Sequence, residues 1–210
     1  MNIRKLREAE ALFLLQYPGG FGSEELRQVV RRHNVGRLIE FAQTALAPER
    51  FARRAQVLDD IVKIVSRSSM VSLFEKPRFR AFVEGLSRDD RARMAQAFER
   101  LLHGDQERGF TDLVDLLAEA GLAKWSLVTV CPFYYRPERE VFVKPTTTKN
   151  VIRQYELEGL VYKPRPTWSF YAGYRDAIAR MKAAVDPALA PNNAAFTGFL
   201  MMTSAVGMPE

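Results

Sequence analysis

The sequence predicts a mainly α protein: a multi-helix N-terminal bundle, then a C-terminal half with a small antiparallel β element of one or two hairpins. Three observations predict this. Ahead of Gly121, apolar residues recur at helical spacing, most clearly in Phe51, Ala55, Leu58, Ile61, Val62 and Val65. Ser, Asn, Pro and Gly punctuate those stripes where helices start and stop. Beyond Leu122 the pattern changes to short runs of β-branched and aromatic residues, WSLVTVC from Trp125 to Cys131 and EVFVK from Glu140 to Lys144.

The elements follow in order. Asn2 to Gln16 carries Ile3, Leu6, Ala9, Phe13 and Leu14 on one face and is stopped by Tyr17-Pro18-Gly19-Gly20. Ser23 caps a short helix with Leu26, Val29 and Val30. Asn34 caps a third with Leu38, Ile39, Ala42 and Leu46, and Pro48 suits the first turn of a fourth. After a break at Ser66 to Ser69 and a boundary at Lys76-Pro77, Phe79, Phe82, Val83 and Leu86 form the next amphipathic unit. Ser87-Arg88-Asp89-Asp90 resembles a capping box ahead of Met94, Phe98, Leu101 and Leu102. Gly104 sits where a left-handed cap would fall, and Thr111 opens a helix closed by Gly121. The two runs after Leu122 then pair as one hairpin across Pro132 to Arg139. Lys149 to Leu160 is helical behind a Pro-Thr-Thr-Thr cap. Val161 to Lys163 and Trp168 to Tyr171 form a second hairpin, Ala172 to Val185 another helix, and Asn192 to Val206 the last. Residues 1–121 are thus a helical bundle, and residues 122–210 an α+β segment packed on it as one globular unit.

Composition bounds the function. Of 210 residues, 47% are apolar and 27% charged, which places the chain among globular proteins rather than disordered ones. A single cysteine excludes a disulfide framework and a thiolate-rich zinc site. No apolar run reaches the roughly 18 residues that span a bilayer. The N-terminal apolar block is too short for a secretory signal, so a cytoplasmic protein without membrane association is expected.

The formal net charge is +6, and it is unevenly placed: residues 141–182 hold eight Lys or Arg against three Asp or Glu. Cations there interleave with Tyr155, Tyr162, Trp168, Phe170, Tyr171 and Tyr174. Cations neutralise phosphates and flat rings stack on unpaired bases, so this block points to DNA or RNA. The candidate nucleic-acid-binding residues are Lys144, Lys149, Arg153, Tyr162, Lys163, Arg165, Trp168 and Arg175. A helix followed by a basic hairpin also outlines a winged helix-turn-helix, with Lys149, Arg153 and Glu156 on one helix face and Lys163 and Arg165 on the wing. Locally, Ile152 to Val161 (IRQYELEGLV) resembles the second helix and following turn of MerR-type regulators. The N-terminal placement and the long dimerising helix of that family do not accompany it, and no function is carried over.

Other constellations are weaker. Tyr17 to Gly22 lacks the Gly-Lys-Ser/Thr ending of a phosphate loop. His33 and His103 have no partner at ligand spacing, so neither metal nor cofactor is expected. No catalytic signature is present. An enzyme would need a site assembled in three dimensions, with Lys144, Lys149, Tyr162, Arg165 and Cys131 as its candidates. The alternative to a nucleic-acid binder is a helical interaction module, or a homo-oligomer, docking through Phe196, Phe199, Leu200 and Met201.

Overall fold

In the computed structural model, which describes residues 1–205 apart from the side chains at 29, 30, 32 and 205, the chain is helical throughout. Val206, and the side chains of Val29 and Val30, therefore lie outside the described residues. The helices are α1 (Ile3–Gln16), α2 (Glu24–Arg32), α3 (Val35–Ala45), α4 (Arg54–Arg67), α5 (Glu75–Gly85), α6 (Arg88–His103), α7 (Gln106–Glu119), α8 (Trp125–Tyr135), α9 (Pro145–Gln154), α10 (Trp168–Ala183) and α11 (Asn193–Ala205). Among the described residues there is no strand, and no helix is long and apolar enough to cross a membrane.

Local chemistry sets many of the boundaries. The Asn2 side chain accepts from the Lys5 N–H, Ser87 from Asp90 and Asp105 from Arg108, each satisfying a first-turn donor. Asp105 therefore starts α7 ahead of the expected Thr111. Gly121 adopts a left-handed φ of 66° after α7, with Leu122 N–H bonded to Leu117 O and Gly121 N–H to Ala118 O. Gly104 closes α6 at a φ of −136°, so no left-handed cap forms there. Pro48 opens a short 3-10 turn (Pro48–Ala52) ahead of α4.

Both hairpins expected in the C-terminal half are replaced by helix and irregular chain. Trp125 to Cys131 belongs to α8, and Pro132 sits inside its last turn. Every residue from Trp125 to Tyr134 is buried, because α8 packs against α3, α4, α6 and α7. A helix surrounded by protein has no polar face, so its sequence lacks the 3.6-residue period and reads like a strand. Trp168 to Tyr171 is the first turn of α10, where ring-rich composition mimics β preference. Val161 to Lys163 is irregular, and the winged-helix outline fails with it.

Glu140 to Val143 is buried chain without a partner strand. Its backbone groups bond to side chains instead. Val141 N–H donates to the Tyr171 hydroxyl at 3.4 Å and Val143 N–H to Thr129 Oγ1 at 3.1 Å, while Glu140 O accepts from Asn193 Nδ2 at 2.9 Å. The Glu140 carboxylate is fully buried. It accepts from Arg175 at 3.2 Å, from Gln106 Nε2 at 2.8 Å and from the Tyr171 hydroxyl at 2.8 Å. This one segment thus ties α7, α8, α10 and α11 together.

The final helix is also internal. Phe196, Phe199 and Leu200 are buried in the chain's own core, with Phe199 edge-on to Phe13 at 5.2 Å. Burying such side chains contributes about 1.5–3 kcal/mol each. They are occupied in folding and offer no docking face; Met201 remains half-buried.

Burial raises the proton affinity of Tyr134, Tyr155, Tyr171, Tyr174 and Cys131, with Tyr174 pushed to about 12. At Tyr171 the Glu140 charge adds to the effect of burial. Unfolded, these groups titrate near 9 for the thiol and 10 for the phenols. Above those values the unfolded chain releases protons that the folded chain keeps. Stability is therefore complete below about pH 9 and is lost as pH rises through 10 towards 12, by at most about 1.4 kcal/mol per pH unit for each group. Urea midpoints measured across the alkaline range are expected to fall accordingly; a midpoint constant to pH 12 contradicts this.

Candidate anion-binding site

Two helix N-termini meet at one recess. Lys124 is the N-cap of α8 and Lys144 the N-cap of α9, and neither cap supplies a side-chain acceptor to the first-turn N–H groups. Both lysines line a cavity of about 560 Å³, together with Ser126, Tyr162, Glu75 and the turn from Ser69 to Leu73. Within it the Ser126 hydroxyl donates to the Glu75 carboxylate at 2.6 Å, so that acid is already engaged.

The electrostatics run against the stability of the free protein. The positive end of a helix dipole disfavours a cation by a few tenths of a kcal/mol to about 1 kcal/mol, and two helices here each place a lysine there. A bound anion would reverse the sign of both interactions. Among the described residues Lys5, Lys63 and Lys182 form ion pairs, whereas Lys124, Lys144, Lys149 and Lys163 form none. Lys149 Nζ lies 5.9 Å from the centroid of the Tyr162 ring, and the carbonyl of Lys163 accepts from Trp125 Nε1 at 2.8 Å. Tyr162 is half-buried, and burial raises its hydroxyl pKa above the usual value.

Half of the basic-aromatic residues expected from the sequence converge here: Lys144, Lys149, Tyr162 and Lys163. The others do not join them through any ring or charge contact. Arg153 is exposed on the last turn of α9, bonded to Asn150 at 3.3 Å. Arg165 pairs with Asp115 at 2.7 Å. Trp168 packs on Phe110, with the Arg175 guanidinium 5.4 Å from its ring. Arg175 itself is held by Glu140, its side chain only 13% exposed. Of the other rings in the block, Tyr155, Phe170, Tyr171 and Tyr174 are core. Lys124, Ser126 and Glu75 carry no signal in the sequence. Lys124 becomes a helix cap only if the following run is a helix, and Glu75 arrives from a distant segment.

Cys131 is fully buried in α8 and its thiol pKa is raised by burial, so it stays protonated and inert as a nucleophile. Among the described residues no group of three or more His, Cys, Asp or Glu side chains is placed to hold a metal ion. Comparison with protein-family models, curated proteins and solved structures returns no match.

Proposed function

We propose that the chain binds nucleic acid through its phosphate backbone, and binds single strands in preference to duplex. The observation that carries this reading is the pair of lysines at the N-caps of α8 and α9, both facing one recess. Lys149, whose Nζ lies over the Tyr162 ring, and the exposed Lys163, next to Tyr162 in the chain, add to the positive charge. The preference for single strands rests on the absence of a protruding recognition helix or wing among the described residues: a recess admits a flexible backbone more readily than a duplex. The binding unit is narrower than the sequence suggests. It comprises Lys124, Lys144, Lys149, Tyr162 and Lys163, without Arg165, Trp168 or Arg175.

Fluorescence anisotropy with a labelled oligothymidylate tests this. Four lysines on single-stranded phosphate give an expected slope of log K against log salt of about −3. The variant K144E/K149E/K163E is expected to lose about two units of that slope without a fall in melting temperature, because all three side chains are exposed and removing the Lys144 cation relieves its conflict with the α9 dipole. No binding by the parent at low salt, or binding untouched in the variant, overturns the reading.

A further inference from the structure

We propose that a second cavity, the groove between α2, α3 and α11, binds an amphiphilic anion: an unbranched alkyl chain ending in a carboxylate or a phosphate. This inference does not depend on nucleic-acid binding, although the groove shares Ser69, Met70 and Lys144 with the recess. It rests on what lines the groove and on which of its polar atoms are still available.

The groove has a volume of about 630 Å³, within the range of small-molecule sites. Its walls are apolar, formed chiefly by Phe21, Ile39, Met70, Ala195, Met201 and Met202. Two methionines side by side give an adaptable wall that conforms to a flexible chain. At Gly36, also in the lining, a side chain would meet nothing within 4 Å, so the space beside α3 is open.

Several of the uncharged polar groups are already engaged within the protein. Asn192 Oδ1 accepts the N–H of Ala195 at 2.9 Å, and Thr197 Oγ1 donates to Asn193 O at 2.7 Å. His33 Nδ1 and Ser69 Oγ are hydrogen-bonded to each other at 3.0 Å. The formal charge in the lining is of one sign. Among the described residues Arg27, Arg31 and Lys144 line the groove, no carboxylate lines it, and none of the three forms an ion pair.

That inventory selects the ligand class. A sugar or a nucleobase carries more donors and acceptors than the few uncharged polar atoms of this lining could meet. A plain hydrocarbon would leave the cations unused. An alkyl chain with one anionic head matches the apolar walls and the three cations at once.

Isothermal titration of the full chain, below the micelle-forming concentration, decides the matter with four probes: dodecanoate, dodecyl phosphate, dodecylamine and inorganic phosphate. At least one of the two anionic amphiphiles is expected to bind one per chain, and the tighter of them identifies the head group. Dodecylamine and inorganic phosphate are expected not to bind at the same concentrations. R27E/R31E should weaken binding of the anion by about tenfold or more, since hydrogen bonds to a charged group are the strong ones and each arginine removed takes its own away. Gly36→Leu, which fills the open space, should abolish binding without lowering the melting temperature. K149E/K163E should leave amphiphile binding intact while impairing oligothymidylate binding, which separates this site from the recess. Failure of both anions to bind, equal binding of the amine, or an affinity indifferent to both R27E/R31E and Gly36→Leu overturns the proposal.

Discussion

Replacing Glu140 by Ala is expected to cost about 3–5 kcal/mol of folding stability, measured as a shift in urea midpoint at neutral pH. The carboxylate is fully buried and receives donors from Arg175, Gln106 and Tyr171. Removing it leaves a guanidinium whose side chain is only 13% exposed without a counter-charge, hydrogen-bonded only to Gln106 Oε1, and takes the best acceptor from Gln106 and Tyr171. A domain holds only about 5–15 kcal/mol in total, so this loss brings the protein near its threshold. The cost belongs to breaking the pair rather than to lacking it. The double variant Glu140→Gln with Arg175→Met should therefore be more stable than the sum of its single variants requires. A Glu140→Ala variant within about 1 kcal/mol of the parent would refute the importance given to this network.

Gly109→Ala is expected to destabilise by about 3 kcal/mol, the upper end for an overpacked core. Helix propensity alone favours Ala by about 1 kcal/mol, so the sign of the effect decides which influence governs. Sterics govern here. A Cβ at Gly109 would lie 2.7 Å from Ala97 O and 2.8 Å from Arg100 C, and closer still to Leu101 N. These are backbone atoms of α6 that no rotamer change can move, so α6 and α7 must separate. Gly36→Ala supplies the contrast: it also lies in a helix, with nothing within 4 Å, and should stabilise by about 0.5–1 kcal/mol in the same assay. Equal stability of the two variants would show that α6 and α7 approach less closely than these distances require.

Several N-terminal helices are legible from an apolar face or from a capping residue. Leu58, Ile61 and Val65 give α4 its apolar face, and Ser87 gives α6 its start. In α8 both signals fail together. Val128, Thr129 and Val130 favour β by local preference, and burial on every side removes the polar positions that would reveal a helical period. Composition picks out Lys144, Lys149, Tyr162 and Lys163, because exposed cations beside a ring stay visible as a local excess. It misplaces Arg175, whose partner Glu140 lies 35 residues earlier in an irregular segment rather than at helical spacing. Lys124 stays hidden for the same reason that α8 does.

The buried passage from Glu140 to Val143 carries a consequence for how this chain can vary. In a sheet, neighbouring backbones supply the bonds, and almost any residue can occupy the position opposite. Here individual side chains supply them: Thr129 and Asn193 each bond one backbone group of that passage, and Tyr171 bonds both the N–H and the carbonyl of Val141. Exchange of Leu for Ile in the surrounding core is a matter of shape and is tolerated. Exchange of Thr129 for Val keeps the shape and still orphans an amide. Substitution in this protein is thus expected to be least tolerated at a handful of hydroxyls and amides, positions that a hydrophobicity profile would pass over as ordinary.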